Sequence, residues 1–123
     1  MKINTNLIKE KIFTSLNSEE ILKYLPDKKV FFIHAPKATA PYVEYMVINS
    51  KPSDYSEGNI NYINHTVQID IFSYEDYSEI ETTIINRMLE CGFDLEAGIP
   101  DLYEEKTGLL HKPIRLNIDL EPC

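Results

Sequence analysis

Residues 62–92 read YINHTVQIDIFSYEDYSEIETTIINRMLECG, and the fold is decided where the repeat within this stretch changes. Up to Phe72 the chain alternates. Ile63, His65, Val67, Ile69 and Ile71 fall on one side and Asn64, Thr66, Gln68 and Asp70 on the other, the period of a half-buried strand. From Ser73 onward Tyr77, Ile80, Ile84, Met88 and Leu89 recur at three- and four-residue steps until Gly92, the period of a helix lying on a core. Ser73 with Asp76 three residues on matches a capping box, in which side-chain oxygens satisfy amides that the first helical turn leaves free. A strand over 62–72 running directly into a helix over 74–91, closed by Gly92, is the expectation.

The flanks complete the pattern. From Asn4 or Thr5 to Leu25 the apolar residues Leu7, Ile8, Ile12, Phe13, Leu16, Ile21, Leu22 and Leu25 keep helical spacing, with room for a break at Asn17 and Ser18, and Pro26 ends the run. Val30-Phe31-Phe32-Ile33 reads as a short strand stopped by Pro36, and residues 42–48 as a second strand rich in β-branched and aromatic side chains. Residues 49–61 hold Pro52, Ser53, Asp54, Ser56, Glu57, Gly58 and Asn59, all turn formers, and are expected to be a long, exposed, flexible loop. After the central helix come a strand near 93–97, breaks at Gly98 and Pro100, a turn over 104–108 and a last alternating strand over 109–120. The order implies an α+β domain spanning 1–123, with a mostly antiparallel sheet, two helices packed on one face and a short mobile C-terminal tail.

A chain of 123 residues, 43% of them apolar, is long enough to bury one core. Its longest uninterrupted apolar run, Val30 to Ile33, is far shorter than the roughly 20 residues that span a bilayer. No export signal is recognisable, so a soluble protein in a reducing compartment is expected, with Cys91 and Cys123 as free thiols. A formal net charge of −8 argues against a surface that grips phosphates by neutralising them. It is compatible with a part past which DNA slides without sticking.

Motifs that carry chemistry are sparse. His34, His65 and His111 each stand alone in sequence, and the four glycines at 58, 92, 98 and 108 are spread one per turn, so neither a zinc site nor a phosphate loop is spelled. Cys91 has no activating neighbour and reads as a packing residue. Pro100, Asp101, Glu104 and Lys106 imitate the PD…ExK signature of metal-dependent nucleases, but only Leu102 and Tyr103 separate Asp101 from Glu104, too few for the strand reversal such a magnesium site needs. No catalytic residue, metal or cofactor is expected.

Four features in this order and spacing resemble one family. They are Pro41-Tyr42-Val43-Glu44-Tyr45, the polar stretch ending at Gly58, the strand Val67-Gln68-Ile69-Asp70-Ile71-Phe72 with its following helix, and the run from Asp101 to His111. The chain resembles, over nearly its whole length, the small tail-completion (tail-terminator, head-to-tail joining) proteins of long-tailed phages, such as those of phages lambda and SPP1. The resemblance implies a non-enzymatic virion part that forms a ring with copies of itself, a hexamer, at the head-proximal end of the tail. It would touch the tail-tube protein and the head–tail connector or stopper, let DNA pass without specific binding, and reside in the host cytoplasm before assembly. An entropy cost of ordering flexible segments would hold premature assembly back. On that reading the interface candidates are Asp54, Tyr55, Ser56, Glu57, Gly58 and Asn59, with Tyr55 as aromatic anchor, and a second tip carrying Asp101, Tyr103, Glu104 and Lys106. The rival expectations are an acidic adaptor that binds protein along an exposed sheet edge, and another phage neck protein, the connector stopper.

Overall fold

The computed structural model describes residues 2–96 and 99–123. Its elements, in chain order, are α1 (Asn6–Leu16), α2 (Glu19–Leu22), β1 (Phe31–Phe32), β2 (Tyr42–Ser56), β3 (Asn59–Ser73), α3 (Ser78–Glu90), β4 (Asp94–Leu95), β5 (Leu102–Glu104) and β6 (Leu109–Leu120). The sheet runs β1-β2-β3-β6-β4, with β5 also pairing β6, and every pairing is antiparallel except β1 with β2. The expected strand near 93–97 is two residues long, and its predicted end at Ala97 and the break at Gly98 lie outside the described residues.

Register explains the two faces. Ile71, Ile69, Val67, His65 and Ile63 of β3 stand opposite Val43, Tyr45, Val47, Ser50 and Pro52 of β2. On the other flank they meet Lys112, Ile114, Leu116, Ile118 and Leu120 of β6. Apart from Pro52 and Ile63, the apolar members of this face form one core with Ile8, Ile12 and Leu16 of α1, Ile21 of α2, and Ile80, Ile84 and Met88 of α3. Burying each such side chain contributes about 1.5–3 kcal/mol, which is what holds the helices to the sheet. The Arg87 Nε–H of α3 also donates to the Ser15 carbonyl of α1 at 3.0 Å, tying the two helices together. All three helices belong to this one layer, so the α+β architecture expected from the repeat change is the observed one, with the first helix broken at Asn17 and Ser18.

Two local expectations are corrected. Residues 49–61 are not a loop: β2 and β3 continue through them as a paired ribbon to Ser56 and Asn59, joined by Glu57 and Gly58. Both turn residues have positive φ, 50° and 79°, the mark of a two-residue turn whose twist matches the strands it joins. The capping box at Ser73 is displaced. Ser73 is buried at the end of β3, its Oγ accepts from the Glu75 amide at 3.1 Å, and the helix starts only at Ser78, whose amide donates to Asp76 Oδ1 at 2.9 Å. Near the C-terminal tail the Asn4 amide donates to the Pro122 carbonyl at 2.9 Å.

Candidate functional site

Three places on the sheet bring chemistry-bearing or exposed residues together. The first is the ribbon. β6 stops opposite Ile63 and β1 pairs only with Glu44 and Tyr45, so beyond these points β2 and β3 have only each other. Every residue from Ile48 to Asn59 is exposed. The expected interface residues Asp54, Tyr55, Ser56, Glu57, Gly58 and Asn59 all lie at its end, with Tyr55 opposite Ile60 and 64% exposed. A side-chain bond from Asn61 Nδ2 to Asp54 Oδ2 at 3.3 Å braces the ribbon near its tip. An aromatic this exposed on a paired backbone loses little chain entropy when a partner covers it, because the backbone is already ordered.

The second place is the tip around β5, at the far end of the sheet. Tyr103 is 61% exposed and Leu102 is exposed beside it, Glu104 accepts from the Thr107 hydroxyl at 3.0 Å, and Lys106 sits in the turn. Asp101 is less free than expected. The Tyr77 hydroxyl donates to it, and Lys112 Nζ lies 3.4 Å away while also donating to the Ile99 carbonyl at 3.1 Å. The Tyr77 hydrogen bond, with the Lys112 ammonium, holds the Asp101 carboxyl below the ordinary carboxylate range, and burial together with Asp101 pushes the Tyr77 hydroxyl well up. Asp101 thus anchors the approach to β5 onto α3 and β6. The two expected patches are not brought together: Tyr55 is level with Ile60 and Tyr103 with Ser73, thirteen steps or about 44 Å apart along β3.

The third place is on the sheet face away from the helices, and sequence spacing did not reveal it. Tyr42, Phe72 and His111 stack across three strands, with centroids 4.8 and 4.3 Å apart. His111 Nε2 lies 2.7 Å from Asp70 Oδ1, which also accepts from Gln68 Nε2 at 2.9 Å, and Arg115 donates to Gln68 Oε1 at 2.8 Å. Asp70 is only 6% exposed, so this carboxylate, expected on the polar side of β3, is buried and paired. On the opposite face Ser50 Oγ and His65 Nδ1 are 2.6 Å apart at a cavity of about 140 Å³ below the start of α1. Burial lowers the His65 pKa, with the Asp119 charge opposing it.

The chain matches no known family model and no curated protein. Among the described residues neither histidine pair forms a relay: no nucleophile is hydrogen-bonded to the Asp70–His111 pair, and no carboxylate to His65. Among the described residues no three His, Cys, Asp or Glu side chains gather as metal ligands, and no helix is long and apolar enough to cross a membrane. Cys91, a free thiol, packs against the core, and Asp101, Glu104 and Lys106 follow one short strand and its turn.

Proposed function

We propose that this chain is a structural subunit of a phage or prophage tail, a terminator that caps the head-proximal end of the tail tube and joins it to the head connector, without catalysing a reaction. The observation that carries this reading is the placement of exposed aromatic tips at opposite ends of one rigid sheet, Tyr55 on the ribbon and Tyr103 on β5. A joint between two assemblies needs contacts at two ends and a stiff body between them. β3 and β6 supply that body as eleven paired positions from Ile63 to Ser73. The sequence resemblance to tail-completion proteins supports the same role. A net charge of −8 suits a ring through which DNA passes without adsorbing. Copies of the chain, the tail-tube protein and the connector are the partners on this reading, at the virion tail after assembly and in the host cytoplasm before it.

One observation favours the adaptor alternative. β2 has an unpaired edge from Met46 to Ser56, where an extended peptide could add a strand. Pro52 and the register shifts around Asp54 interrupt that edge, which weakens it as a template. Electron microscopy of the protein mixed with polymerising tube subunits separates the two. A terminator narrows the tube-length distribution and adds density at one end, whereas unchanged lengths and bare ends refute the proposal.

A further inference from the structure

Charge is divided unevenly along the chain and, because of the topology, across the sheet. Residues 23–37, which contain β1, hold four lysines and one aspartate, a formal +3. Residues 94–105, which contain β4 and β5, hold five acids and no base, a formal −5, which Lys106 in the following turn and Lys112 and Arg115 of β6 reduce to −2 at this edge. β1 ends the sheet on one side and β4 and β5 end it on the other, roughly 19 Å away at four strand spacings. Each edge also exposes apolar side chains among its charges: Phe32 and Ile33 on the basic edge, and Leu95 and Leu102 on the acidic one. Lys9 and Lys29 lie over the Phe32 and Phe31 rings at 5.4 and 5.1 Å, so the positive charge is held close to the apolar patch. Ile33 is 53% exposed at a φ of 67°, a costly backbone conformation for a β-branched residue.

We infer that a second copy of this chain docks head to tail on the first, the lysine-rich β1 edge of one subunit meeting the acidic β4–β5 edge of the next. Complementary charge identifies the occupant. Pairing either edge with itself would oppose like charges, so a two-fold dimer is disfavoured and the heterologous contact is the attractive one. Both edges consist of strands only two or three residues long, which offer little backbone ladder, so side chains and charge must carry the contact. A small mixed groove between β4 and β5, its apolar Ile85, Leu95 and Ile99 lying beside the charged Glu81, Lys112 and Arg115, gives Phe32 or Ile33 of the next copy a place to insert. The inference deepens the ring of the proposed function and rests on that reading only for closure of the chain of contacts.

The test uses full-length protein with Cys91→Ala and Cys123→Ser as background. One preparation carries Ile33→Cys and a second Leu95→Cys, and they are mixed under mild oxidation at low salt. A disulfide-linked pair should form at least tenfold faster than in a control mixture of Ile33→Cys with Tyr55→Cys. Adding Lys29→Glu and Lys37→Glu to the first preparation should abolish the excess, and adding Asp94→Lys and Glu105→Lys to the second should restore it. Raising the salt to about 0.5 M should lower it, because screening weakens exposed charges. Circular dichroism confirms that each variant is folded. Cross-linking no faster than the control, or indifferent to charge reversal and salt, overturns the edge assignment. Tube-length control by wild type without edge cross-linking would leave the tail proposal standing while removing this one, and the converse result would do the reverse.

Discussion

His65 sits on the helix-covered face of β3 at 7% exposure, beside Ser50 and under the start of α1. Burial lowers its pKa from the ordinary 6.5, so between the lowered value and 6.5 the unfolded chain binds a proton at this site that the folded chain does not. Stability then rises with pH: the contribution is complete above about 6.5 and is lost as pH falls through the folded value. Urea unfolding of wild type and His65→Gln between pH 7.5 and 5 should show a steeper acid loss for wild type. Parallel curves would show that His65 is not the source. Asp70 makes a different demand. Its carboxylate is buried and leans on His111, so His111→Ala should cost about 3 kcal/mol by leaving a buried charge short of a partner. Asp70→Asn, which removes the charge and keeps hydrogen-bonding atoms, should cost less in the same denaturation assay. The reverse order would mean that the aromatic stack with Phe72, not the hydrogen bond to Asp70, is what His111 supplies.

At the scale of elements, the ribbon shows which signals were legible and which were not. The alternation over 62–72 and 109–120 was readable because one face of β3 and β6 meets the core, and burial writes itself into every second residue. Beyond Ile63 the ribbon is exposed but for Ile60 and Asn61, half-buried beside Lys2 and Pro122, so no alternation was required, and a stretch with Pro52, Ser53 and Gly58 looked like a loop. The helix start failed for a related reason: Ser73 is drawn into the end of β3, which moved its hydroxyl away from the helix. The pairs Ser50–His65 and Asp70–His111 were invisible because register, not spacing, creates them. The tip can be tested directly. A Cβ added at Gly58 would meet nothing within 4 Å, so Gly58→Ala reports backbone strain alone and should cost about 1 kcal/mol. Glu57→Asn should instead stabilise the turn by up to about 1 kcal/mol, since asparagine tolerates its positive φ far better. Hydrogen exchange at ribbon amides measures both, and equal protection in all three proteins would refute the two-residue turn.

For the whole molecule, the central question is whether the ribbon serves the fold or something outside it. The core is built from β2 up to Val47, from β3 after Ile63, and from β6 and the helices, and none of the residues from Ser53 to Tyr62 belongs to it. A two-stranded ribbon standing alone is marginal in water, so keeping one that adds nothing to the core calls for a use elsewhere. Pro52 and Ile63 are already opposite one another, which allows residues 53–62 to be replaced by Asn-Gly with the remaining register intact. The shortened chain should unfold in one transition with a midpoint close to wild type, because the half-buried Ile60 is the main buried apolar side chain lost. In the tube-polymerisation assay it should lose end-capping while keeping salt-sensitive cross-linking between the β1 and β4–β5 edges. Cap formation by the shortened chain would show that the ribbon is not the tube-facing or connector-facing element, and would shift that role to the Tyr103 tip. A collapse in stability would show instead that the ribbon shields the base of the sheet, where Ile63 and the cavity under α1 would then open to water.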